Sequence, residues 1–116
     1  MTSPQNRQAD YLGLMLTATT QARSYSEGMN KADFLEDAKT QDAIVMKLLV
    51  IGELAAQLLD EHKEFTGNHP EIPWHQMKGM RNRMAHGYFE LNMDVVWDTV
   101  QLALPDLEAN LRAIQG

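Results

Sequence analysis

Cysteine is absent from the 116 residues, which excludes a disulfide framework, a thiolate metal site and a cysteine nucleophile. A reducing cytoplasm fits that composition and is the expected compartment. Strand signals are missing as well: no β-branched alternating run bounded by hairpin turns occurs anywhere. The segment Met1 to Asp10 is polar and lacks the apolar core of a signal peptide. Uninterrupted apolar runs are scarce. The longest apolar stretch, Ala43–Leu59, carries Lys47, Glu53 and Gln57, which suits a buried core helix and not a membrane span. No His-Glu-x-x-His pattern occurs among the four histidines, so no metal and no cofactor is expected.

What is present is a chain that is 44% hydrophobic, enough for a packed core in one domain spanning residues 1–116. Repeats, low-complexity tracts and linkers are lacking. The net charge of −6 has the wrong sign for a general nucleic-acid binder. Acidic residues are nevertheless missing between Glu71 and Glu90, while His75, Lys78, Arg81, Arg83 and His86 all fall there. A ligand meets local potential, so an acidic protein can still carry one anion site. On charge alone, a solvated helix surface is the better reading of these side chains.

The periodicity is helical throughout. A first helix is expected over about residues 8–27, with Tyr11, Leu14, Met15 and Ala18 at spacings of three and four and Gly28 as its stop. Asn30 is suited to cap a short helix through Glu36, and Thr40 to cap a long one over about residues 41–65. That third helix is apolar almost all round, so it either lies at the bundle centre or lends a face to a partner chain. The loop 66–73 precedes a fourth helix with Pro73 in its first turn and Gly87 at its end. Asn92 and Asp94 open a fifth helix, which Pro105 should kink, because its ring clashes with the carbonyl of Gln101. The expected fold is all-α: an antiparallel bundle of about five helices with a kinked C-terminal helix.

Most polar groups have ordinary explanations. His62 lies in a charged run and reads as helix surface, and His69 falls in the loop. Trp74 and Trp97 read as core or interface anchors, and Gln41, Asp42 and Glu53 as helix-capping or dimer-packing residues. The string Arg81-Asn82-Arg83-Met84-Ala85-His86-Gly87-Tyr88 differs in its chemistry, with guanidinium, amide, imidazole and phenol in eight residues. Cutting RNA without metal needs a proton taken from a 2′-hydroxyl, another delivered to the 5′-oxygen, and positive charge on the phosphorane. Imidazole, with a reference pKa of about 6.5, suits both proton transfers. Near a helix C-terminus the dipole favours a charged ring and hence an acid role. Arginine supplies a planar cation that forks onto phosphate oxygens. Geometry is the obstacle, because residues five apart sit about 140° round an ideal helix. Asn82 and His86 share a face, but Arg81 and His86 do not. A complete site therefore needs arginine's reach, a helix distortion, or a second copy across a two-fold axis. Taken alone, Arg-x-x-x-x-His is a weak signal, and His86 could equally cap helix carbonyls.

Longer blocks carry more weight. Phe34-Leu35-Glu36-Asp37, Lys39-Thr40-Gln41-Asp42-Ala43, Ile51-Gly52-Glu53, Pro70-Glu71-Ile72-Pro73-Trp74, Met80 through Phe89, and Val96-Trp97-Asp98 together resemble the HepT-like toxins of the HEPN superfamily from about Asp10 to Leu111. The resemblance implies a HEPN-like helical bundle that forms a homodimer or a higher even oligomer. It implies a metal-independent endoribonuclease, the toxin of a type II-like toxin–antitoxin pair, acting on RNA such as tRNA. On this resemblance Arg81 and His86 are catalytic, Asn82 supports them, and Lys78 and Arg83 are candidate RNA contacts. It also implies an MNT-type nucleotidyltransferase antitoxin that transfers AMP onto Tyr88, adding bulk and phosphate charge beside the site. Glu90 could weaken RNA affinity or orient Arg83. Two other readings use the same residues differently: a non-catalytic module that binds its nucleotidyltransferase partner or a nucleotide, and a helical dimerisation protein without a site.

Overall fold

A computed structural model describes residues 3–87 and 90–115. Helix α1, Pro4–Tyr25, starts on the Ser3 side chain, which accepts from the Asn6 amide at 3.1 Å, with Pro4 in the first turn where its missing N–H is harmless. Its buried face is Leu12, Met15, Ala18, Thr19 and Ala22. Thr19 satisfies its own hydroxyl by donating to the Met15 carbonyl at 2.8 Å. Gly28 reverses the chain at φ 80°, a backbone conformation that only glycine adopts without strain. Helix α2, Lys31–Leu35, begins with the Asn30 cap in a reciprocal box with Asp33.

Helix α3, Ala38–Glu61, is capped by Asp37 and not by Thr40. The Asp37 carboxylate accepts from both the amide and the hydroxyl of Thr40, at 3.0 and 2.7 Å. Thr40 thus serves as the donor in a cap placed three residues earlier than the sequence suggested. Gln41 donates to the Phe34 carbonyl at 2.9 Å, closing the end of α2. The long helix breaks at His62, which leaves helical backbone and precedes a short helix α4, Lys63–Gly67. His62 is accordingly no plain surface residue: its ring meets Tyr11 edge-on at 6.3 Å and its Nε2 is buried.

Helix α5, Trp74–His86, follows Pro73 and ends at Gly87. Trp74 is buried and donates its indole N–H to the His69 carbonyl at 3.0 Å, so the preceding loop is tied to the start of α5. Asn92 caps helix α6, Met93–Asp98. The disruption expected from Pro105 takes the form of a π turn, Thr99–Ala103, in which the Leu104 amide reaches back to the Thr99 carbonyl. Widening the turn just before Pro105 accommodates a residue with no N–H and a bulky ring. Helix α7, Leu104–Gln115, then continues. Among the described residues there is no strand, and no helix is long and apolar enough to cross a membrane.

Helix α3 is the hub, packed by α1 on one side and α5 on another, with α7 completing the layer against α1. Its Ile44, Leu48, Ile51, Ala55 and Leu58 are buried in the common core with Met15, Leu107 and Leu111. Of the two alternatives left by its apolar circumference, the central position is the one the single chain displays. One face is central, while Met46 and Val50 remain exposed on the outside.

Candidate active site on helix α5

The sequence Trp74–His86 makes a regular α-helix without interruption, which removes one of the three ways to unite Arg81 with His86. No helix distortion brings them onto one face. Trp74 and Met84 are buried, Met77 and Met80 are partly so, and together they anchor α5 to the core. Asn82, Arg83, Ala85 and His86 are left exposed.

Arg81 lies at the seam between α5 and α3, and Gly52 is the reason. A Cβ built on Gly52 would sit 2.3 Å from the Cβ of Arg81 and 2.7 Å from the Met77 carbonyl oxygen, so no other residue type fits without moving a backbone. With α5 this close, the Arg81 side chain runs beside α3 and its Nη1 donates to Glu53 Oε2 at 2.7 Å. The arginine side chain is 26% accessible and the carboxylate 52%. Arg81 Nε is buried without a hydrogen-bond partner. The far oxygen of Glu53 accepts a longer bond from Gln57, at 3.4 Å.

His86, the last residue of α5, opens onto a different place. It lines a groove of about 390 Å³ with Arg83, Met80, Glu90, Asn92 and Val95, between α5 and the start of α6. Arg83 and Glu90 therefore share the histidine's groove, while Arg81 does not line it. Lys78 lies elsewhere again, on a larger groove of about 720 Å³ with Lys63, Trp74 and His75. Tyr88, the expected modification site, falls outside the described residues. Among the described residues no cluster of three or more His, Asp or Glu is placed to hold a metal ion.

One chain thus presents the Arg81 guanidinium on its α3 side, and the His86 imidazole together with Arg83 on its α6 side. Sequence reasoning undervalued Glu53 and Gly52. They lie 28 and 29 positions from Arg81, a separation that helical periodicity does not reach. The only signal was their presence together in the block Ile51-Gly52-Glu53.

Residues 15–114 match the family described as ribonuclease HepT-like. The chain belongs to that family. The probable ribonuclease HepT of Thermococcus cleftensis is 33% identical over 106 residues, which cover 91% of this chain and 94% of the relative. A protein of Caldanaerobacter subterraneus named as a candidate RNase is 34% identical over 88 residues, 76% of each chain. Another so named, from Methanocaldococcus jannaschii, is 32% identical over 96 residues, 79% of this chain and 77% of that one. No solved structure matches. The family match spans every helix that builds the Arg81 seam and the His86 groove, so it covers the site as a whole.

Proposed function

We propose that this HepT-like chain is a metal-independent endoribonuclease whose active unit is a pair of chains. The observation that carries the reading is the division of chemistry on α5. Arg81 is turned towards α3 and Glu53 while His86 opens, with Arg83, on the groove beside α6, so a single copy does not bring Arg81 to His86 and offers one imidazole where the two proton transfers use two. A two-fold pairing would set one copy's arginine near the other's histidine and bring two imidazoles to one cleft.

In such a cleft one imidazole takes the proton from the 2′-hydroxyl. The 2′-oxygen then attacks phosphorus, the bond to the 5′-oxygen breaks, and a second imidazole protonates the leaving oxygen. Arg81 stabilises the charge that builds on the non-bridging oxygens. Asn82, on the same face of α5 as His86, is placed to support either substrate or ring by hydrogen bonding. Lys78 and Arg83 extend positive charge along the helix for the RNA backbone. Support for the pairing comes from α3, where Met46 is 57% accessible and Val50 is also exposed. These lie one and two turns before the Glu53–Arg81 pair on the outer face of the helix, so a partner covering them would lie alongside the arginine.

The finer reading is a toxin silenced by a nucleotidyltransferase partner that transfers AMP onto Tyr88, with tRNA as the RNA class. Inducible expression of wild type, Arg81→Ala and His86→Ala in bacteria tests the chemistry. Wild type should slow growth and degrade RNA, and either substitution should abolish both. Alanine variants as toxic as wild type would refute the residue assignment. For silencing, co-expression with a neighbouring nucleotidyltransferase should add AMP increments to the intact mass, and the increments should vanish in Tyr88→Phe. A second reading, a non-catalytic nucleotide-binding module, is favoured by the groove that unites Arg83, His86 and Asn92. It predicts AMP binding without any cleavage of RNA by wild type.

A further inference from the structure

We propose that Glu53 is a positioning residue for Arg81, holding its guanidinium tip in place and screening it until phosphate arrives. The role rests on the ribonuclease reading above, in which Arg81 meets the phosphorane oxygens. It begins with the backbone. Because Gly52 has no side chain, α5 lies so close to α3 that the Arg81 Cβ occupies the space a residue-52 side chain would need. The root of the arginine is therefore fixed by packing between two helices, and its stem is confined to the seam.

The tip is held differently. Nε is buried and has no acceptor, a state that costs free energy and that the side chain would escape by swinging its guanidinium into water. Arginine is among the side chains with most rotamer freedom to regain by doing so. Opposing that escape is the bond to Glu53 at 2.7 Å, a charge-assisted contact of the short, strong kind. Glu53 is itself steadied from the next turn of α3 by Gln57. Of the five N–H donors on a guanidinium, Glu53 takes one and burial withholds the Nε–H. Three donors remain, all on the two Nη atoms, and these are the ones left for a phosphate.

The carboxylate acts in two opposing ways on a substrate. It orders the guanidinium, which favours the transition state, because misplacement of a catalytic group by about 1 Å costs on the order of a hundredfold in rate. It also cancels part of the arginine's charge and repels a phosphate, which weakens ground-state binding. Removing it should therefore lower kcat and lower KM together. A residue that merely supported the fold would reduce the active fraction and leave KM alone, and a residue that bound RNA would raise KM.

The test uses the full chain as Glu53→Ala and Glu53→Gln, with RNA cleavage kinetics, thermal melting and ¹⁵N-detected exchange of the Arg81 Nε proton. Glu53→Ala should lose about a hundredfold in kcat, tighten KM by a few-fold, and expose the Nε proton to solvent exchange, at an unchanged melting temperature. Glu53→Gln, which retains an acceptor but no charge, should recover part of the kcat and keep the lower KM. Unchanged kcat and KM in Glu53→Ala, or a kcat loss accompanied by a higher KM or a lower melting temperature, would overturn the role while wild-type cleavage kept the ribonuclease reading intact. Wild-type protein that cleaves no RNA would overturn both, and the wild-type control separates that outcome from the first.

Discussion

Replacing Gly52 by alanine adds one methyl group at the closest approach of two helices. That methyl would start 2.3 Å from the Arg81 Cβ and 2.7 Å from the Met77 carbonyl oxygen. Carbon atoms in comfortable contact are about 3.5–4.0 Å apart, so α5 must retreat by roughly 1 Å or more. Neither obstacle is the free end of a flexible chain, and relief has to come from backbone displacement. Overpacking of this kind costs about 1–3 kcal/mol, and two stiff obstacles place it near the top of that range. Removing a glycine from a helix interior returns about 1 kcal/mol. A net loss of about 2 kcal/mol is expected, which for a domain of this size lowers the melting point by roughly 8–10 °C. The displacement also carries Arg81 away from Glu53, so RNA cleavage should fall by on the order of a hundredfold even at temperatures where the variant is fully folded. Thermal unfolding by circular dichroism, paired with cleavage kinetics well below the transition, measures both effects. A Gly52→Ala protein with wild-type melting and wild-type kinetics would refute the close approach itself, and with it the reason Arg81 occupies the seam.

Two further substitutions probe other levels of the structure. Met46→Glu puts a charge on the outer face of α3, where the native side chain is 57% accessible; it should convert a dimer to monomers in sedimentation and abolish cleavage while the melting of the monomer stays within a few degrees of wild type. Asp37→Asn tests acid stability. The amide and hydroxyl bonds from Thr40 hold the Asp37 carboxyl below its ordinary range. Its contribution is therefore complete above the unfolded value of about 3.9 and is lost as pH falls through the lower folded value. Glu71 is lowered in the same sense by His69. In Glu108, burial pushes upward but is outweighed by hydrogen bonds from Arg112 and Arg23. Asparagine keeps one acceptor for the Thr40 amide but has no second acceptor oxygen and does not titrate, so the variant should be less stable than wild type near neutrality and lose less stability between pH 5 and pH 2. Urea midpoints that run parallel for the two proteins over that range would contradict the role given to Asp37.

Helical class, caps and breaks were largely readable because they depend on residues three or four apart. Asn30 and Asn92 do cap α2 and α6, Gly28 does turn the chain, and Gly87 follows α5. Where local reading slipped, two neighbouring residues offered the same chemistry. Asp37 and Thr40 can each cap a helix, and the aspartate accepts while the threonine donates. Pro105 announced a disruption, but that a π turn would absorb it depends on how α7 must sit against α1.

For the site, the order of residues alone determined that Arg81 and His86 stand about 140° apart on any regular helix, and the uninterrupted α5 keeps them so. The string also supplied all the chemical types that RNA cleavage requires. What only the tertiary structure decided is where each of those groups looks. Gly52 and Glu53 are 29 and 28 positions away from Arg81 in the chain, yet one admits its backbone and the other binds its tip. Periodicity along a helix sets the direction in which a side chain leaves the axis. What meets it there depends on which other helix packs against that side, and that is settled by the burial of the whole apolar core.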